Sequence, residues 1–214
     1  MSKAVKRRSY DSPRRRAQAR ATRLAILDAA RVLFAEQGYA ATTIDAIAAR
    51  AAVSPETVYA VFKNKRSILV RLIDVSIAGD DAEVPVLGRS WVQDMREEPD
   101  PRRRLQILAK NGRLILERWT PMYEVLRGAA AADREIASLW ELNKRQRLGG
   151  QRVLLRLLTE RTRLREGLRP SAAADVLFAI GSPETYQLLV NDRGWSPDRF
   201  ERWYLDTLTR LLFG

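Results

Sequence analysis

The chain has 214 residues, 46% of them hydrophobic, and carries a formal charge of +12; that is enough apolar material for one large core or two smaller ones, and too much for a chain disordered throughout. It holds neither Cys nor His, which removes disulfides, thiolate nucleophiles, imidazole bases and nearly every zinc site, so no metal or other cofactor is expected. No apolar run approaches the ~20 residues of a membrane span, and the first residues are too polar for a secretory signal, so a cytoplasmic protein with no membrane partner is expected.

The charge is uneven. Residues 1–66 hold 14 Lys or Arg against 5 Asp or Glu, whereas residues 67–214 hold 24 against 21. A positive field concentrated in the first third suits a polyanion, because phosphate neutralisation supplies most sequence-independent affinity for nucleic acid.

Residues 1–11 carry Lys3, Lys6, Arg7 and Arg8 without apolar periodicity. They read as a flexible basic arm, which either tracks phosphates or a minor groove or acts as a solubilising tail. Ser12 and Pro13 signal the cap and first turn of a helix rich in Arg, which should run to Gln37 and stop at Gly38. Its apolar face, Leu24, Ile26, Leu27, Ala30, Leu33 and Phe34, is assigned to core.

Next come two short helical patterns around a tight turn. The first, Thr43 to Arg50, places Ile44, Ile47 and Ala48 at helical spacing; the second opens with Ser54 as cap and Pro55 at its first position. Val53, Val58, Val61 and Phe62 supply apolar partners, so the pair can pack together. Glu56, Thr57 and Tyr59 gather polar groups near the start of the second helix, as in a recognition helix that enters a groove. An ordinary helical hairpin with a solvated polar face is the plainer alternative.

The run ILDAARVLFAEQGYAATTIDAIAARAAVSPETVYAVFKNKRSIL, Ile26 to Leu69, resembles the N-terminal domain of the TetR family of bacterial transcriptional regulators. That resemblance implies an all-α, two-domain homodimer that binds double-stranded DNA at a near-palindromic operator and represses until a small organic effector releases it. It implies phosphate contacts from Thr43, Tyr59 and Lys65, and a major-groove face made of Ser54, Pro55, Glu56 and Thr57, with Lys63 helping to hold the backbone. Glu56 either accepts from a cytosine amine or sits as a favourable charge on the helix dipole. The family usually has Gly where this chain has Ala52; a positive φ there would cost Ala roughly 1 kcal/mol.

A fourth, connecting helix begins after Asn64, with Ile68, Leu69, Leu72, Ile73 and Ile77 as its apolar stripe. These elements form the expected DNA-binding domain, residues 12–79. Residues 80–101, with three prolines, read as a connection holding at most a short helix near Trp91. From Arg102 the pattern is helical throughout: one helix to Trp119, a shorter one opened by Pro121, then a long one from Asp133 to about Arg165 in which Gly149 and Gly150 mark a kink or a close contact. Residues 171–190 form another helix broken at Gly181, Ser182 and Pro183; residues 191–195 turn, and Ser196 with Pro197 starts the last helix.

Residues 80–214 are thus expected to be the ligand-binding and dimerisation domain. The two final helices resemble the pair that meets across a two-fold axis in TetR-like regulators, which assigns Phe178, Leu189, Phe200, Tyr204 and Leu208 to a dimer interface, an intramolecular core being the alternative. Trp119, Met122, Tyr123, Trp140, Phe178 and Tyr186 offer apolar walls for a mostly apolar ligand, although aromatic residues at helical spacing more often belong to a core. A helical enzyme lacks a nucleophile or phosphate-loop motif to work with. A nonspecific architectural nucleic-acid protein is the remaining rival.

Overall fold

The computed structural model describes residues 13–214, so the basic arm and the Ser12 cap lie outside the described residues. Helices account for all the regular structure among these residues, and they divide into two compact units, one ending at Ile68 and one beginning at Leu69.

In the first unit α1 (Pro13–Ala41) bends at Gly38, whose φ of 80° and ψ of 166° no L residue adopts without strain. A final turn follows, fixed by the Thr42 hydroxyl donating to Gly38 O at 2.8 Å. Ile26, Leu27, Ala30 and Phe34 are buried as expected, but Leu24 is 38% exposed and stands outside the core. The next two helices are α2 (Ile44–Arg50) and α3 (Pro55–Phe62). Ile47 of α2 and Val58 of α3 are both fully buried, and Phe62 is buried as well. Ala52 in the turn between them has φ 53°, the left-handed conformation that costs any residue but Gly.

Helix α4 (Lys65–Ala78) carries the division between the units within it rather than at its end. The reason lies in its second half: the Arg71 guanidinium pairs with Asp81, and Ser76 O accepts from Arg118 Nε at 3.3 Å. Residues from Leu69 onward are therefore held by the elements that follow.

The second unit contains a 3-10 turn (Val86–Gly88), then α5 (Ser90–Glu97), α6 (Pro101–Ala130), α7 (Arg134–Thr159), α8 (Pro170–Ile180), α9 (Pro183–Tyr186), a π-helical turn (Gln187–Asp192) and α10 (Pro197–Leu212). Asp100, Asp133, Ser182 and Ser196 cap helices with their side-chain oxygens. Helices α6, α7, α8 and α10 enclose the core, centred on Leu105, Leu108, Leu155, Leu177 and Leu208. Arg104 is fully buried within it, because its guanidinium donates to Glu98 O, Arg96 O and Leu157 O at 2.6, 2.7 and 2.6 Å.

Three expectations are corrected. Pro121 opens no new helix: α6 runs through it, since Pro121 faces solvent while Leu116, Trp119, Met122 and Tyr123 on either side are buried. Gly149 and Gly150 leave α7 unbroken, and α7 ends at Thr159. Phe200, Tyr204 and Leu208, assigned to a dimer interface, are 0%, 2% and 0% exposed within the single chain. The amphipathic face of α10 is spent on its own core, so these three cannot also line an interface.

Candidate nucleic-acid interface and ligand cavity

The start of α3 is built by its cap. Ser54 Oγ accepts from Thr57 N at 3.3 Å and lies 3.2 Å from Thr57 Oγ1, with Pro55 filling the first helical position, where an N–H would have no partner anyway. Glu56 is exposed, and hydrogen bonds from its own backbone N–H and from the Ser54 hydroxyl hold its carboxyl below the usual range. That geometry favours the reading of Glu56 as a first-turn charge on the helix dipole. Tyr59 is 52% exposed on the same helix. Lys63, also exposed, closes α3 with φ 60° and donates its N–H to Tyr59 O at 2.9 Å.

Thr43 caps α2, its Oγ1 accepting from Ala46 N at 3.1 Å, so its O–H can still donate outward. Thr43, Ser54, Glu56, Thr57, Tyr59 and Lys63 thus present polar groups from α2 and α3. Lys65 is placed otherwise. Its ammonium donates to Tyr39 O, Thr42 O and Ala40 O at 2.7, 2.8 and 3.3 Å and lies 4.4 Å from the centre of the Tyr39 ring. All three N–H groups are used, and none is left for the phosphate contact expected of it. The signal for this was the chain end after Gly38, whose carbonyls must find donors once the helix stops.

In the second unit a cavity of about 550 Å³ opens among α4, the 82–87 segment, α6 and α7. Of the six residues expected to wall it, Trp119 does. Met122, Tyr123, Trp140, Phe178 and Tyr186 do not. Tyr123 instead sits between Trp119 and Trp140, with ring centres 5.6 and 4.6 Å away, and hydrogen-bonds Glu184. Tyr186 packs against Phe200 at 4.9 Å, and Phe178 carries the Arg147 guanidinium 3.8 Å from its ring centre.

The walls the sequence did not reveal come from two places. Val84, Val86 and Leu87 supply apolar surface from the stretch read as a connection, and Asn143, Arg147 and Gln151 line the cavity from one face of α7. Their spacing of four residues was the available signal. Burial lowers the Arg147 pKa and raises that of Asp74. No cluster of metal-ligating side chains occurs among the described residues, and no described helix is long and apolar enough to cross a membrane.

The model of the family described as bacterial regulatory proteins, tetR family, matches residues 26–72. The uncharacterized HTH-type transcriptional regulator YdeS of Bacillus subtilis (strain 168) is 31% identical over 181 residues, which cover 84% of either chain. Among solved structures, the SmeT–triclosan complex is 25% identical with a TM-score of 0.68, covering 91% of this chain and 92% of that one. NalD of Pseudomonas aeruginosa, the secondary repressor of the MexAB-OprM multidrug efflux pump, shares the fold at 24% identity and a TM-score of 0.67, over 92% of this chain and 98% of its own.

Proposed function

The chain belongs to the TetR family of bacterial transcriptional regulators, and from that premise we propose that it is a cytoplasmic homodimeric repressor of a near-palindromic operator, released by a small organic effector. Residues 12–79 are the DNA-binding part and residues 80–214 the part that binds the partner subunit and, together with α4 from Arg71 onward, the effector. The observation that carries the reading is the capped helix α3, exposed at Glu56 in its first turn and at Tyr59 in its second, in the part of the chain that holds most of the surplus positive charge. Ser54, Pro55, Glu56 and Thr57 face the major groove, while Thr43, Tyr59 and Lys63 hold phosphates. Lys65 acts indirectly, by fixing the turn before α2.

The cavity is the effector site, a reading supported by the triclosan complex of the related SmeT. Helix α4 carries Lys65 near its start and the cavity residues Arg71, Asp74 and Ile77 further along, so it is the element on which effector and operator act together. Release requires an effector that binds better to the conformation unable to span both half-sites, because equal affinity for both shifts nothing.

Selection of bound fragments from random duplex tests the reading. Two inverted half-sites should emerge, Tyr59→Phe should weaken binding to every sequence alike, and Thr57→Ala should change the preferred bases. Retention of no sequence preference as salt is raised would instead favour the architectural alternative.

A further inference from the structure

Asn143 and Gln151 stand two helical turns apart on α7, on either side of Arg147, and all three line the cavity. Neither amide has a hydrogen-bond partner among the described residues, and Asn143 Oδ1 and Gln151 Oε1 are fully enclosed without one. Asn143 is only 7% exposed. Burying an amide with nothing to bond costs roughly 1–3 kcal/mol, which nothing in the packing offsets. Tyr204, whose hydroxyl lies beside Gly112 and Gly181, lines the same cavity.

Charge narrows what can enter. The wall carries the cations Arg71 and Arg147 against Asp74, Asp80 and Glu83; Arg71 is faced by Asp81, Arg147 by Glu184 and Asp80 by Arg89, so carboxylates still outnumber cations, with Arg147 Nε left as an enclosed donor without a partner. An anion would meet a net negative wall. Ile77, Val86, Trp91, Ile115 and Trp119 supply an apolar body site between the polar points.

We propose that the cavity takes an uncharged amphipath with an apolar body and neutral hydrogen-bonding groups at both ends, read by the Asn143 and Gln151 amides. Four residues of helix rise about 6 Å, so the two amides sit roughly 12 Å apart along α7. Each amide can turn to offer either its oxygen or its nitrogen. The ligand therefore needs two polar ends about 10–12 Å apart, each within hydrogen-bond reach of one amide and of either hydrogen-bonding sense. The proposal rests on the effector reading of the cavity and adds the chemistry of the ligand.

Titration of the full chain with 4,4′-dihydroxybenzophenone, benzophenone and benzophenone-4,4′-dicarboxylate, followed by tryptophan fluorescence, tests it. The bis-phenol should bind roughly tenfold or more tighter than benzophenone, and the dicarboxylate weakest. Asn143→Leu with Gln151→Leu should abolish the preference while raising the melting temperature of the ligand-free protein, since an unpartnered buried amide has been replaced by apolar surface. Irradiation of bound benzophenone should attach it to peptides of α6 or α7. Equal binding of bis-phenol and benzophenone, tightest binding of the dicarboxylate, no binding of any of the three, or an unchanged preference in the double variant would each overturn the proposal. Preferential binding of the bis-phenol without any change in operator affinity would uphold it and sink the effector reading instead.

Discussion

Lys65 holds Tyr39 twice: its ammonium donates to the Tyr39 carbonyl at 2.7 Å and lies 4.4 Å from the centre of the Tyr39 ring. Two further carbonyls, of Ala40 and Thr42, complete the shell. One side chain from α4 thus organises the end of α1 and the approach to α2, the helix that Thr43 caps.

Lys65→Met keeps the stem and removes the donors, leaving three carbonyls to find water. Charge-assisted bonds of this kind contribute about 1.5–3 kcal/mol in total once solvation is counted. The variant should lower the unfolding free energy from urea titration by that order and weaken binding to all duplexes alike, without changing the preferred sequence. A Lys65→Met protein with unaltered stability would remove the role assigned to this residue.

Ala52→Gly should stabilise the protein. With φ at 53°, Ala52 bears a left-handed strain of roughly 1 kcal/mol, part of which the greater freedom of Gly in the unfolded chain offsets. The expected gain is about 0.5 kcal/mol in a denaturant titration with an unchanged slope. A loss of stability would mean that the Ala52 methyl group makes contacts worth more than the strain.

The proposed subunit interface must use apolar surface that the chain itself leaves uncovered. Leu188, in the π-helical turn, is 56% exposed and Leu211, on α10, 37%, whereas Leu208 is fully buried. Leu188→Glu should therefore give a folded monomer with weak operator binding. Leu208→Glu should unfold the protein, because it buries a charge with no partner. Gel filtration with circular dichroism separates the two; a folded, monomeric Leu208→Glu protein would contradict the core position.

Alkaline solution above about pH 10 should destabilise the second unit. Burial pushes the Tyr186 phenol up to about 12, and Tyr123 and Tyr204 are also raised, chiefly by burial. A phenol whose folded pKa lies above its unfolded value near 10 contributes stability that is complete below pH 10 and is lost as pH climbs toward 12. Urea midpoints should stay level from these groups up to about pH 10 and fall beyond it, and Tyr186→Phe should flatten part of that fall. An identical fall in the variant would exclude Tyr186 as a contributor.

The sequence was most legible where a few neighbouring residues decide the outcome. Ser54 with Pro55, and Ser196 with Pro197, start helices where they were expected to, because a cap is a local hydrogen bond. Gly38 likewise bends α1 where it was expected to stop it. What depends on partners far along the chain was hidden. Pro121 was given a helix start, yet packing on both sides carries α6 through it. Amphipathicity alone could not tell whether the apolar face of α10 meets its own chain or another copy, and Phe200, Tyr204 and Leu208 turned inward. The cavity was misplaced for the same reason: the aromatic residues Tyr123 and Tyr186 filled the core, while unremarkable polar positions on α7 lined the space.

Val84 and Leu87 belong to the cavity wall but remain 42% and 37% exposed, in a stretch whose regular structure is one 3-10 turn. Leu108, Leu116, Leu154 and Tyr204 serve both the core and the cavity wall, whereas the 82–87 stretch contributes to the wall alone. The 82–87 stretch can be exchanged for one of other shape or polarity while Leu105, Leu155 and Leu177 go on holding the helices together. If the cavity is the effector site proposed above, randomising those six positions should shift ligand selectivity while leaving the fold intact.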